Sequence, residues 1–116
     1  MALNIIKRTY ERMKAMELEF KVLSNSLVIK PKGEIDSESA AFLRRKIDLE
    51  FECTAAKNMT FDLTEVDFMD SSGVGLVIGR YKKVAALGGE VRIKGANRTV
   101  ARIIELSGLG RIVKMI

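Results

Sequence analysis

Short stretches of alternating apolar residues and longer stretches of helical periodicity take turns along most of the chain. Apolar side chains at every second position predict strands around Leu18 and Met59. Apolar residues spaced three and four apart predict single helices between and after such strands, as along Ala40, Leu43 and Ile47. This alternation favours an α/β domain whose later strands are parallel and joined by right-handed crossovers. The 116 residues leave room for one such domain.

The predicted elements follow the order ββαβαβαβ and form a mixed, mostly parallel β-sheet with helices. Strands are expected over residues 18–22, 27–31, 58–64, 90–94 and 111–116. Helices are expected after Asp36 to about residue 54, from residue 71 or 72 to Gly88, and between Asn97 and Gly108. The first is predicted to bury Ala40, Leu43, Ile47 and Phe51 and to turn residues 44–46 and Asp48 to water; the second, to bury Val74, Val77, Ile78 and Tyr81. Residues 65–70 are expected to be a loop.

Four residues are expected to shape the backbone. Pro31 has no amide hydrogen for a ladder, so its strand should lie at an edge or leave the sheet there. Gly33 then permits a sharp change of direction. Gly75 and Gly79 lie four residues apart, on one helix face, and are predicted to let that helix approach the sheet closely.

Residues 1–16 are distinct from the domain predicted over residues 17–116. Leu3, Ile6, Tyr10 and Met13 fall on one side of a short helix, which indicates an amphipathic segment that could touch a membrane surface or a partner. A frayed extension and residues added for expression are the alternatives, because Met16 is itself a plausible start.

The absence of some residue types excludes several classes of function. Without histidine, the chain cannot build a Ser-His-Asp triad or a histidine-bearing zinc site, so we expect no catalytic residue, no bound metal and no cofactor. Cys53 stands alone and cannot form an internal disulfide, which is typical of a reducing cytoplasm, and it is expected to be a small buried hydrophobe. The apolar runs are too short for a membrane span.

The net charge of +5 invites a nucleic-acid-binding interpretation, but its distribution weakens it. Four basic residues against Glu11 give residues 1–16 a charge of +3, which leaves +2 for the other hundred residues. Basic and acidic side chains are interspersed there and form no continuous stripe that could follow a phosphate backbone, so we expect no nucleic-acid partner.

The segment Phe-Met-Asp-Ser-Ser-Gly-Val-Gly over residues 68–75 places two hydroxyls at a predicted helix start. By spacing alone, Ser71 or Ser72 could simply cap the helix. A nucleophile elbow is excluded because no histidine can activate either serine, and the glycine spacing fits neither the dinucleotide fingerprint nor the P-loop.

The segment DSSGVG over residues 70–75, followed by GRYK over 79–82 and two glycines at 88–89, resembles the anti-sigma factor antagonists of the STAS family. The similarity extends from about Leu18 to the end, with GEID over 33–36 and LSGL after the third helix. Within the family, it is greatest to the stage II sporulation protein AA branch.

The resemblance implies a bacterial, cytoplasmic regulator of transcription that is a substrate rather than an enzyme. Its unphosphorylated form would bind an anti-sigma factor that is also a serine kinase and so release a sigma factor. Phosphorylation of Ser71 would end that binding, and a serine phosphatase of the metal-dependent class would reset it. The resemblance places Asp36, Asp70, Ser72, Gly73 and Val74 at the partner-binding surface.

A general-stress antagonist or a STAS scaffold subunit is the alternative within the family. The chain departs from the usual pattern at both ends, since members lack a leader like residues 1–15 and continue past the last strand into a further helix, which we expect to be absent here.

Overall fold

In the computed structural model, residues 17–116 are described in full and residues 7–11 by their backbone. This part of the chain contains seven strands and three α-helices. They are β1 (Lys7–Glu11), β2 (Glu17–Leu23), β3 (Ser26–Ile35), α1 (Ser37–Glu52), β4 (Asn58–Asp62), β5 (Val66–Met69), α2 (Ser71–Ala86), β6 (Val91–Lys94), α3 (Arg98–Ser107), a 3₁₀ turn (Leu109–Arg111) and β7 (Lys114–Met115).

The strands form one sheet in the order β1-β2-β3-β4-β6-β7, and β5 pairs with the last residues of β3. The first two pairings are antiparallel and the others are parallel, which confirms the mixed, mostly parallel sheet. Alternate residues of the central strands enter a single core together with the inner faces of the helices; they include Leu18, Phe20, Leu27, Ile29, Met59, Phe61, Val91 and Ile93.

The helices begin where the sequence predicts and end within two residues of the predicted positions. Asp36 caps α1, Asn97 caps α3, and Gly108 ends α3 in the left-handed conformation. The predicted buried side of α1 is confirmed, since Leu43 and Ile47 are fully buried and Ala40 and Phe51 nearly so. Within residues 17–116, no helix is long and apolar enough to cross a membrane.

The predicted loop over residues 65–70 is wrong, because Val66–Met69 forms β5. Val66 and Met69 are buried, while the two residues between them are exposed, so the segment shows no alternation. It pairs in parallel with Gly33–Ile35, the part of β3 that lies beyond its pairing with β4. The last predicted strand is also shorter, since Leu109–Arg111 is a 3₁₀ turn.

Pro31 lies between the two parallel partners of β3. Residues 26–29 pair with β4, residues 33–35 pair with β5, and Pro31 falls in the gap, where a missing amide hydrogen removes no bond to either strand. β3 thus changes partner there instead of ending. Gly33 does not turn the chain as expected but lies in the strand at a register shift, with a φ of 115°.

The predicted helix in the leader is wrong over Lys7–Glu11, which form β1 along the outer edge of β2. An isolated helix of this length is marginal in water, whereas a strand gains a ladder by pairing with an existing edge. Leu3, Ile6 and Met13 lie outside the described residues. Cys53 is exposed rather than buried, because it follows α1 as its C-cap residue, past the end of the buried stripe at Phe51.

Candidate functional site

The loops before α1 and α2 lie side by side at the carboxyl ends of parallel strands. Ile35 is paired with Met69, and the amide of Asp70 donates to the carbonyl oxygen of Ile35 at 3.1 Å. Asp36 and Asp70 each come directly after this pair of strand ends. The expectation that the two loops are neighbours is confirmed.

Asp70, rather than a serine, caps α2. Its carboxylate accepts a hydrogen bond of 2.8 Å from the amide of Ser72. Ser71 is the first residue of the helix and is exposed, and within residues 17–116 its hydroxyl makes no hydrogen bond. The interpretation of Ser71 or Ser72 as the cap is therefore wrong. Ser71 presents a hydroxyl that the helix does not use.

Asp36 is the corresponding cap of α1 and closes a capping box with Ser39. The amide of Ser39 donates to Oδ1 of Asp36 at 2.9 Å, and the amide of Asp36 donates to Oγ of Ser39 at 2.8 Å. The hydrogen bonds from the Ser39 amide and hydroxyl lower the pKa of Asp36, which therefore carries a negative charge at neutral pH. A negative charge thus stands at the loop that adjoins the start of α2.

Gly73 and Val74 lie beneath the surface at the start of α2. A Cβ atom on Gly73 would overlap the side chain of Met69 and would lie 3.1 Å from Cγ2 of Ile35, so only glycine lets α2 sit this close to the strand ends. Val74 is buried in the core. Their expected role at the partner contact stays a prediction, while their packing role is clear.

Asn97 connects α3 to the strand that leads to Ser71. Its Oδ1 accepts from the amide of Val100 at 2.8 Å and so caps α3. Its Nδ2 donates to the carbonyl oxygens of Val66 and Asp67 at 3.2 and 3.3 Å. The sequence indicates the cap but gives no sign of the bonds to β5.

A groove of about 340 Å³ runs between α1 and α2 behind Ser72. It is lined by Ser37, Ala40, Ala41, Arg44, Ser72, Gly75, Leu76, Gly79 and Arg80. The prediction that Gly75 and Gly79 bring α2 close to the sheet is wrong, because a Cβ atom on either would meet nothing within 4 Å. Both face the groove, and Gly73 makes the close approach instead. Each helix-interior glycine costs about 1 kcal/mol relative to alanine.

An ion pair lies at the side of this groove. Nε of the buried Arg80 is 3.0 Å from Oδ1 of Asp48, and Nζ of Lys83 is 3.1 Å from Oδ2. Burial lowers the pKa of Arg80 and Arg44 lowers it further, while Asp48 opposes the shift. Asp48, predicted to face water, is only 21% exposed in its side chain. Two cations, Arg80 and Lys83, therefore share the carboxylate of Asp48.

Over residues 17–116, no cluster of three or more cysteine, aspartate or glutamate side chains is placed to hold a metal ion. The site has acidic loops, an exposed hydroxyl at a helix start and a groove lined largely by small residues. A family model described as the STAS domain matches residues 17–116. The chain belongs to the STAS domain family.

Two curated relatives of this STAS domain are each 30% identical to it over 98 residues. The anti-sigma F factor antagonist of Paenibacillus polymyxa is covered over 84% of its length, and the anti-sigma-B factor antagonist of Bacillus subtilis over 88%; each match takes in 84% of this chain.

Solved structures share the STAS fold described above. The unphosphorylated form of the anti-sigma factor antagonist SpoIIAA matches with a TM-score of 0.75 and 29% identity, covering 85% of this chain and 87% of that one. The phosphorylated form of the Bacillus cell fate determinant SpoIIAA matches with a TM-score of 0.66 and 31% identity, covering 88% and 91%.

The STAS site contains functional candidates that the sequence pattern did not indicate. Phe68 is 41% exposed on β5, two residues before Asp70, and is a large apolar side chain beside the loop. Arg80 follows the buried Val77 by three residues and lies on the buried side of α2. This spacing of three residues is the one feature of the sequence that indicates its burial.

Proposed function

We propose that this STAS domain is an anti-sigma factor antagonist that is switched by phosphorylation of Ser71. The unphosphorylated form binds an anti-sigma factor that is also a serine kinase, and a sigma factor is thereby released in the bacterial cytoplasm. A phosphate on Ser71 ends the binding, and a serine phosphatase of the metal-dependent class removes it. The chain acts as a partner and a substrate, not as an enzyme.

The position of the Ser71 hydroxyl carries this proposal. Ser71 is exposed at the first turn of α2, and the cap is made by Asp70, so modification of the hydroxyl breaks no capping bond. The similarity to SpoIIAA, a protein solved in unphosphorylated and phosphorylated forms, supports the same assignment.

The physics of the helix start explains why the switch leaves the fold intact. A phosphoserine adds about −1.5 to −2 charges at pH 7, and backbone N–H groups and the helix dipole favour such a group at an N-terminus. The first turn of α2 contains no acidic residue, so the Asp70 cap is the one carboxylate of this helix start.

The charge of the phosphate also disfavours binding of the partner. Asp36 adjoins the site, and Asp67 and Asp70 precede Ser71 on the chain, so a dianion joins a surface that is already acidic. A partner surface that fits a neutral hydroxyl would have to desolvate or repel this charge, which costs several kcal/mol. In this proposal, Asp36, Asp70 and Ser72 form the rim of the contact around Ser71.

A phosphorylation assay with purified anti-sigma factor and ATP tests the proposal. We expect one phosphate per chain, located on Ser71 by mass spectrometry, and none in Ser71→Ala. Ser72→Ala is the matched control, because Ser72 is the adjacent hydroxyl and its side chain does not cap the helix. Phosphate that persists in Ser71→Ala, or that sits on Ser72 alone, contradicts the assignment.

A second candidate, a general-stress antagonist, is favoured by one observation. The anti-sigma-B factor antagonist of Bacillus subtilis is as similar to this chain as the anti-sigma F factor antagonist of Paenibacillus polymyxa. A pull-down from the source cell with Ser71→Ala, which keeps the chain in its binding form, identifies the anti-sigma factor and decides between the two.

A further inference from the structure

The groove between α1 and α2 begins beside Ser71, at the start of α2, and continues along the helix away from it. Ser72 forms its near end, and Gly79 lies eight residues beyond Ser71, about 12 Å along the helix axis. The groove is therefore continuous with the surface proposed to bind the anti-sigma factor, yet most of it lies outside the loop that carries Ser71.

The two glycines of this groove have no packing partner in the described chain. A Cβ atom at Gly75 or Gly79 meets nothing within 4 Å, in contrast to Gly73, where it would overlap Met69. Glycine weakens a helix interior, and the fold gains no close contact in return at these two positions. The open space fits the approach of a backbone from outside the domain.

The α1 side of the groove is also lined by small side chains. Ala40 and Ala41 contribute only methyl groups opposite the glycines. Two helices whose facing side chains are small over two turns leave a trough into which the side of a third helix can pack. The lining thus favours a helix over an extended peptide, because the groove offers no strand edge for hydrogen bonds.

The groove also carries positive charge. Arg44 is exposed on its rim, and the buried Arg80 lies within it. Asp48 is shared between Arg80 and Lys83, so these side chains together carry an excess of positive charge. An acidic side chain on an incoming helix complements this excess.

We propose that this groove receives a helix of the anti-sigma factor that has small residues on its facing side and an acidic side chain against Arg44. The inference rests on the proposed function and adds a contact surface to it. Binding would then depend on two areas, the loop around Ser71 and the groove, and only the first would respond directly to phosphorylation.

Titration calorimetry with purified anti-sigma factor tests the contact through Gly79→Leu, which fills the groove. The change replaces a helix-interior glycine by a good helix former in open space, so the melting temperature should not fall. We expect the affinity to fall by roughly tenfold or more. The control Ala85→Leu, at an exposed position of α2 outside the groove, should change affinity by no more than about twofold.

A charge reversal tests the acidic contact. Arg44→Glu should weaken binding by roughly tenfold or more, whereas Arg45→Glu, which changes the net charge equally at an exposed position outside the groove, should have an effect of about twofold or less.

Ser71→Asp separates the groove from the proposed function. If it weakens binding while Gly79→Leu and Arg44→Glu bind like the unmodified chain, the groove contact is wrong and the antagonist function stands. If Ser71→Asp also binds normally, the proposed function is itself wrong. Should Gly79→Leu change the oligomeric state by light scattering, the groove is an interface between copies of this chain and the proposal is overturned.

Discussion

The starts of α1 and α2 are two versions of one arrangement. Each helix follows a strand of the same parallel pair, and each is capped by an aspartate in extended conformation, Asp36 or Asp70. At α1 the third residue, Ser39, is buried and closes a capping box. At α2 the third residue is Gly73, which closes no box and packs against Met69.

The two helix starts differ in the charge of their first turns. Glu38 already places a negative charge at the start of α1, whereas the first turn of α2 contains none. An anion added at α2 therefore joins a helix start whose acidic residue is the Asp70 cap alone. The two caps are thus similar, but the start of α1 contains a second acidic residue and the start of α2 does not.

The largest expected effect concerns the charge itself. Ser71→Asp should lower the affinity for the anti-sigma factor by about 100-fold, because a charge penalty of a few kcal/mol falls on the contact, while the helix end tolerates it. Thr99→Asp, which adds the same charge at an exposed position in the first turn of α3, should leave most of the affinity intact. Calorimetric titration beside thermal melts measures both quantities, and equal losses from the two variants would erase the contrast.

The packing difference predicts that alanine at the third helix position destabilises the two helix starts for different reasons and by different amounts. Gly73→Ala should destabilise the fold by about 1–3 kcal/mol, because its Cβ overlaps Met69 and lies in tight contact with Ile35. Ser39→Ala should cost about 1 kcal/mol through the lost box and the unpaired amide of Asp36. Urea unfolding gives both values; a neutral Gly73→Ala would show that α2 can shift away from the strand ends.

Removing the charge of Asp36 alone should separate its role in binding from its role as a cap. Asp36→Asn keeps an oxygen that can accept from the Ser39 amide, so any loss of affinity reports on the charge. We expect Asp36→Asn to bind the partner more weakly with little change in melting temperature. Asp36→Ala should lower both the affinity and the melting temperature. If Asp36→Ala melts earlier yet binds and is phosphorylated normally where it is folded, Asp36 is only a cap.

The smallest effect is a dependence on pH. Because hydrogen bonds from Ser39 lower the pKa of Asp36 in the folded state, its contribution to stability is present above the pKa of the unfolded chain, near 4. It disappears as the pH falls through the lower folded value. Urea midpoints measured between about pH 5 and pH 2 should therefore decline less steeply in Asp36→Asn than in the unmodified chain.

Local patterns predict the elements whose hydrophobic period is long enough to read. The buried side of α1 and the strands at Leu18 and Met59 follow from spacing alone. β5 escapes because four residues with buried ends show no alternation, and its existence depends on the free edge of β3. β1 likewise depends on pairing with the edge of β2, and no pattern within residues 7–11 indicates that pairing.

The site is predictable where a motif is local and unpredictable where it depends on packing. The caps at Asp36 and Asn97 can be inferred from residue type and position. The groove cannot, because whether Gly75 and Gly79 face the sheet or open space depends on how α1 lies beside α2. The pairing of Asp48 with Arg80 joins residues on different helices, and no sequence period relates them.

In the proposed switch, β5 and α2 also determine how an enzyme would recognise Ser71. The residues before it are held in a strand by β3 and by the side chain of Asn97, and the residues after it are wound into a helix. The hydroxyl therefore lies at a corner between two kinds of secondary structure, and no extended stretch of chain surrounds it. A kinase or phosphatase acting here reads a folded surface assembled from distant segments, so a short peptide of the same sequence would lack the feature that is recognised.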